Sequence, residues 1–223
     1  AFAHVSSHDL QEPLRKIQTF STRLVEIEDF SAAGKDYLYR IQNAAKRMRS
    51  LIDDLLAYSK ANTSERKLEL TDLNLLVQEV KADLSETIES KNAEIISSNL
   101  PILNIIPFQF RQLFVNIIGN SLKFTKLDKA PIIQIKADIV KGGEIQHQLA
   151  DSENAYHHIS VSDNGIGFDP VYAIKIFEIF QRLHNRSEFE GTGVGLAICK
   201  KIVENHNGFL TADGEVNKGA TFH

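Results

Sequence analysis

Five patches of this chain combine residue types and spacings that suit chemistry. The first is Ser6-Ser7-His8-Asp9-Leu10-Gln11-Glu12-Pro13-Leu14. Imidazole titrates near neutrality, so a neutral, nucleophilic form of His8 is present at cellular pH. Gln11, Glu12 and Arg15 follow at helical spacing and form one polar stripe with it. We read His8 as a solvent-facing phosphoryl acceptor, with Asp9 beside it to hold the ring and its proton. For these residues alone an ordinary surface histidine on an amphipathic helix is the better reading, and only the other patches overturn it.

Asn116, Asn120 and Lys123 are spaced four and three, which puts them on one helix face, opposite Leu113, Phe114, Ile117, Ile118 and Leu122. Two amides and an ammonium suit a magnesium-phosphate group, because the phosphates bring the negative charge that the metal needs. A solvated face is the plain alternative. Asp163-Asn164-Gly165-Ile166-Gly167 follows an expected strand. Its glycines permit a tight turn and close ligand approach, and Asp163 is placed to accept a hydrogen bond from an adenine amino group. Many hairpin turns look the same. Gly191-Thr192-Gly193-Val194-Gly195-Leu196 leads into a helix, where backbone N–H groups form an anion cradle. Its spacing is neither that of the dinucleotide fingerprint nor that of a P-loop. In Ile176-Phe177-Glu178-Ile179-Phe180-Gln181-Arg182 the phenylalanines read first as core. The polar residues 183–190 read as a mobile lid.

These patches need elements to hold them. Ala3, Ser7, Leu10, Leu14, Ile17, Ser21 and Leu24 recur at gaps of three and four, predicting one helix over residues 1–29. Pro13 predicts a bend just after His8. Small and capping residues at 29–34 end the pattern. Leu38, Ile41, Ala45, Met48, Ile52 and Leu55 then form a second seam. Two such helices cannot bury both seams alone. Pairing with a second copy gives a four-helix bundle; packing on the rest of the same chain is the alternative. Polar residues 59–66 place a hinge. Beyond it we predict strands at 67–73, 93–98, 103–106, 132–140, 157–163, 209–213 and 220–223, with helices at 75–91, 107–124 and 193–206. The polar residues 141–156 read as a hairpin connection. The expected architecture is two domains: an all-α hairpin, residues 1–60, dimerising as a four-helix bundle, then an α+β sandwich, residues 67–223, with its sheet covered on one face.

Composition sets bounds. The chain has 223 residues, 43% hydrophobic and 24% charged, with a formal net charge of −4. This is the make-up of a soluble globular protein, and it argues against a nucleic-acid partner. A single cysteine, Cys199, rules out an internal disulfide and fits a reducing compartment. No apolar run approaches a membrane span, so we expect no membrane contact by this chain. The first residue is Ala, which reads as an excised piece of a longer polypeptide, either membrane-anchored or soluble.

Taken in order, the patches resemble those of bacterial two-component sensor histidine kinases over essentially all 223 residues. Ser7-His8-Asp9 with Pro13-Leu14 resembles the H box, and residues 116–124, ending in Phe124, the N box. Phe177 and Phe180 resemble the F box; Asp163-x-Gly165-x-Gly167 and Gly191-x-Gly193-x-Gly195, with Leu196, resemble the glycine boxes. Gly219-Ala220-Thr221-Phe222 is similar to the last glycine motif. The wording Asp-Leu-Gln-Glu-Pro-Leu-Arg resembles that of the phytochrome-like and PAS-linked branch, often hybrids with receiver domains.

The resemblance implies a cytoplasmic kinase core with an ATP-binding domain of the gyrase and histidine-kinase type. It implies autophosphorylation of His8 from ATP and Mg²⁺, then transfer to an aspartate of a response-regulator receiver domain. Asn120 matches the magnesium ligand, Asn116 a polar neighbour of metal and phosphates, and Lys123 a phosphate contact. Asp163 matches the adenine reader, Arg182 a lid arginine near the γ-phosphate, and Asp9 the acidic helper of His8. Two departures stand out. Glu12 replaces the Thr or Asn tied to dephosphorylating the partner, and the chain stops at His223, just past the last motif. A dimeric ATP-sensing regulatory module without phosphotransfer is the alternative. It would keep the glycine boxes but has no need of His8 or Asp9. A free-standing gyrase-type ATPase expects an acidic base at position 116, and Asn116 is not basic enough for that role.

Overall fold

The computed structural model describes residues 2–63, 67–145, 150–183, 188–189 and 191–223, and their side chains apart from those of residues 2–10 and 60–63. Helix α1 (Phe2–Ile27) and helix α2 (Ala32–Thr63) form an antiparallel hairpin. Pro13 lies inside α1 without ending it. Leu14, Ser21 and Ala45 are buried between the helices, and the Ser21 hydroxyl donates to the Ile17 carbonyl at 2.5 Å. The seams are only half covered, however: Ile17, Leu24, Ile41, Met48 and Leu55 stay 40–53% exposed. Across the hairpin Gln11 Nε2 donates to Asp53 Oδ1 at 2.6 Å. Helix α2 continues to Thr63, into the residues expected as a hinge, because nothing before residue 63 breaks its backbone ladder.

The second part is α+β. Strand β1 (Glu69–Asp72) pairs antiparallel with β3 (Ile102–Ile105). The main sheet has the order β2-β4-β5-β7-β6, from β2 (Glu94–Ser97), β4 (Ile132–Lys141), β5 (Ala155–Asp163), β7 (Gly219–Phe222) and β6 (Ala212–Glu215). Only β2 and β4 run parallel; the other neighbours are antiparallel. In the expected connection 141–156, Gly142–Glu144 form one tight turn, and residues 146–149 lie outside the described set.

Where one helix was expected over 75–91 there are two, α3 (Leu73–Asp83) and α4 (Ser85–Ser90). Asp72 starts α3 early, because its carboxylate accepts the Asn74 N–H at 2.8 Å. Leu84, at φ −98° and ψ 8°, then turns the chain. Leu84 and Ile88 still reach the core from the new direction, so the apolar spacing never falters and the break leaves no trace in it.

Helix α5 (Pro107–Lys123) opens with proline, whose missing N–H costs nothing in a first turn. Leu113, Phe114, Ile117, Ile118 and Leu122 are buried, as the spacing predicts. They meet Val77 and Val80 of α3, Ile133 and Ile135 of β4, and Ile198 and Ile202 of helix α6 (Gly195–Asn205). Phe114 is fully buried, and truncating such a ring costs about 3–5 kcal/mol. The packing leaves the polar stripe of α5 facing a cleft between the end of β5 and the loop that starts α6.

Candidate active site

That cleft has a volume of about 270 Å³. Asn116, Asn120, Lys123 and Phe124 line one wall, Asp163 and Gly167 another, and Gly191, Gly193, Gly195 and Leu196 a third. Three patches read separately from the sequence therefore converge on one cavity.

Asp163 sits at the end of β5. Its Oδ1 accepts the Gly165 N–H at 2.9 Å and the Ala220 N–H at 3.2 Å, and its Oδ2 accepts the Ser121 hydroxyl at 2.9 Å. Burial nevertheless pushes its carboxyl above the ordinary 3.8; the three donors and the charge of Lys126 offset only part of the desolvation. Gly167 has φ +63°, and a Cβ there would meet the Glu215 carbonyl oxygen at 2.0 Å, so only glycine fits.

On the α5 wall, the Lys123 ammonium lies 4.2 Å from the centroid of the Phe124 ring. The Phe124 ring in turn meets Phe189, centroids 5.0 Å apart. Asn116 Nδ2 donates to the Gly195 carbonyl at 3.2 Å, and its Oδ1 accepts from Gln112 at 3.2 Å. This amide therefore ties α5 to the glycine loop. Burial pushes the Cys199 thiol beneath it up to about 12, so this cysteine is a packed apolar residue. The glycine loop delivers its backbone to the start of α6, whose first turn has no side-chain cap. Among the described residues no group of three or more His, Cys, Asp or Glu could hold a metal ion. A magnesium ion here would need ligand oxygens of its own, as phosphates supply. The Asn120 amide on the cleft wall is a hard donor suited to sharing it.

Several sequence expectations land differently. Arg182 reaches the cleft, but its guanidinium donates to the Gly191 carbonyl at 2.8 Å and the Phe189 carbonyl at 2.7 Å. It staples the two ends of the lid. Residues 184–187 and 190 of that lid lie outside the described set. Gly165 supports Asp163 from behind rather than lining the cleft. Thr221 pairs with Ser162 at 2.9 Å between their hydroxyls, and its neighbours Ala220 and Phe222 line the cleft in its place. Phe177 is buried, as a core reading expects, whereas Phe180 is 59% exposed at φ +66°. The rings and carboxylates of His8 and Asp9 fall outside the described side chains, although α1 is helical through both. Glu12 pairs with Lys16 at 2.8 Å on the exposed face.

Sequence reading missed Ser121, Thr192 and Asp54, all of which line the cleft. Ser121 sits between two expected site residues and shares the Asp163 carboxylate. Thr192 was visible as the first non-glycine residue of its loop. Asp54 belongs to α2, in the other domain, and accepts a hydrogen bond from the Thr192 hydroxyl. Burial raises its carboxyl, the Thr192 bond works against that, and the neighbouring Asp53 charge adds to it. The faces meet because α2 lies along α6, with Ala57 and Tyr58 packed on the core.

Comparisons with known proteins agree with this geometry. Residues 106–223 match the model of the histidine kinase-, DNA gyrase B- and HSP90-like ATPases, and residues 1–64 match the His kinase A (phospho-acceptor) domain. The chain is 39% identical over 225 residues to the phytochrome-like protein Cph1 of Synechocystis sp., covering 100% of this chain and 28% of that protein. It is 28% identical to the sensor protein GacS of Pseudomonas syringae, covering 97% of this chain and 23% of that one. The chain thus spans less than a third of the length of these relatives. A crystal structure of full-length ShkA in complex with AMPPNP superposes with a TM-score of 0.69 at 26% identity, covering 99% of this chain and 44% of ShkA. The histidine kinase ThkA, in complex with the response regulator TrrA, has a TM-score of 0.60 at 22% identity, over 99% of this chain and 59% of that one. A phospho-acceptor helical hairpin, followed by an ATPase domain whose N-box stripe and glycine loops share one cleft, makes this chain a member of the two-component sensor histidine kinase family.

Proposed function

We propose that this chain phosphorylates itself on His8 from magnesium-ATP and hands the phosphoryl group to an aspartate of a response-regulator receiver domain. The observation that carries the reading is the lining of the cleft. A partly buried carboxylate, Asp163, shares one cavity with Lys123 and with a glycine loop at a helix start. That is the complement of adenine joined to phosphates.

Asp163 Oδ2 accepts the adenine amino group while Ser121 and the Gly165 and Ala220 amides hold it in place. Lys123 and the amides of residues 191–195 take the phosphates. Asn120, with those phosphates, would hold Mg²⁺, whose charge would offset that of the γ-phosphoryl group. Arg182 leaves its lid carbonyls to join them. An unprotonated nitrogen of His8 attacks phosphorus, the P–O bond to ADP breaks, and the proton on the other ring nitrogen passes to Asp9. The docked cleft touches α2 at Asp54, beside the Asp53 that binds Gln11. Gln11 is three residues beyond His8, about 4.5 Å along the helix axis, so the donor and acceptor halves meet at the level of the acceptor.

Residues 1–60 act as the dimerising phospho-acceptor and residues 67–223 as the ATP-binding unit. The half-covered seams of α1 and α2 are the face for a second copy. We place the reaction in the cytoplasm, where ATP and receiver domains are found. Among the described residues no helix is long and apolar enough to cross a membrane.

Incubation with γ-labelled ATP and magnesium tests the reading. Acid-labile, base-stable label is expected on the wild type and none on His8→Gln, with loss of the label to an added receiver domain. Equal, acid-stable labelling of both proteins would overturn it, and no label on either despite bound ATP would favour a regulatory ATP-binding module.

A further inference from the structure

The nucleotide cleft is completed by a residue from outside its own domain. Asp54, Ala57 and Tyr58 are spaced three and four along α2 and share one face. Ala57 and Tyr58 pack on the core of the ATPase domain, and Asp54 points into the cleft. There it accepts the hydroxyl of Thr192, the residue between the first two glycines of the phosphate loop. The contact is costly for an anionic ligand in two ways. It spends a donor that faces the phosphate end, and it sets a negative charge in the same cavity as Lys123. Phosphates entering that space meet a like charge in the same partly buried cavity.

We propose that Asp54 and Thr192 form a latch between stem and cleft that the phosphates of a bound nucleotide displace, so that latching to α2 and nucleotide loading oppose one another. The inference rests on the nucleotide reading above. Coupling of this kind is reciprocal: whatever holds Asp54 against Thr192 weakens the nucleotide by the same factor by which the nucleotide weakens the latch. Asp53, the adjacent residue, is bound to Gln11 of α1, so a rotation of the hairpin moves both carboxylates together. A signal travelling down the stem thereby reaches the cleft without passing through the linker.

The test titrates magnesium-ATP, and separately adenosine, into the 223-residue chain by calorimetry, with His8→Gln present throughout to prevent turnover. Asp54→Ala removes both bond and charge; Asp54→Asn keeps the volume and an acceptor but removes the charge. We expect Asp54→Ala to bind magnesium-ATP about fivefold to tenfold more tightly, the low end of such couplings. Asp54→Asn should fall between it and the parent, and adenosine, having no phosphates, should bind all three alike. Hydrogen exchange along α2 around residue 54 should rise on adding magnesium-ATP to the parent and already be high in Asp54→Ala. Equal magnesium-ATP affinity in all three chains overturns the latch while leaving the nucleotide reading intact. Weaker binding by Asp54→Ala overturns it too, because Asp54 would then serve the ligand. If the parent binds neither compound, the nucleotide reading fails and the latch fails with it.

Discussion

Asp163 carries two loads that one substitution separates. Its carboxylate closes the corner between β5, Ser121 and Ala220, and its second oxygen is the proposed adenine acceptor. Asp163→Asn keeps an oxygen for the two backbone N–H groups, and the Ser121 hydroxyl can turn to accept from the new amide. The variant should fold. Facing adenine it presents a donor to a donor, so magnesium-ATP affinity should fall by about 10-fold or more, the scale of an unmade buried hydrogen bond. The pH dependence of stability has a definite sign. The folded carboxyl titrates above its ordinary 3.8, so the native state holds its proton longer than the unfolded chain does. The wild type therefore loses stability relative to Asp163→Asn as pH rises from about 4 through the raised folded value, and the difference is flat above it. Paired urea melts across that range check it. Asp163, Asn116, Asn120 and Lys123 were legible because strand end and helix spacing fixed their faces. Arg182 was legible as a position and not as a partner, since its two acceptors are backbone carbonyls that carry no sequence mark.

Among the elements, α5 depends on a residue nearly a hundred positions away. No side chain caps its start, and the Ile106 N–H instead donates to His206 Nε2 at 3.0 Å. That fixes the tautomer: Nδ1 carries the hydrogen and donates to the Ile202 carbonyl at 2.7 Å. The ring also lies edge-on to Phe110 at 4.9 Å. His206→Ala leaves a buried N–H unmade at the head of the helix that presents the N-box stripe. A loss of about 1–3 kcal/mol is expected, read as a lower urea midpoint at unchanged slope. Helix α5 itself was plain in the sequence, from proline opening to apolar face. Its tie to His206 was not, because such long-range capping has no local signature. The break at Leu84 was hidden for the opposite reason: both helices keep the same apolar rhythm, and only a change of direction separates them.

For the whole molecule, the apolar stripe on the hairpin is an unmet demand, with Ile17, Leu24, Ile41, Met48 and Leu55 all exposed. Ile17→Glu combined with Leu24→Glu places two charges on the half-covered seam. Light scattering should then report the mass of a monomer where the parent gives a dimer, while magnesium-ATP affinity stays unchanged because neither residue lines the cleft. The two-part architecture was legible because the apolar period changes character after the second seam. The docking of the parts was not. Asp53 and Asp54 look like a solvated acidic pair on a helix, and nothing in their spacing marks one for Gln11 and the other for Thr192.

The sheet order carries one more consequence. Strand β7, the last in the chain, is not an edge; it lies between β5 and β6, and its Ala220 N–H holds Asp163. A polypeptide leaving the ribosome in order has an open sheet and a carboxylate without this amide until residues 219–222 arrive. A nascent chain therefore lacks the finished cleft wall until β7 has emerged and paired with both β5 and β6.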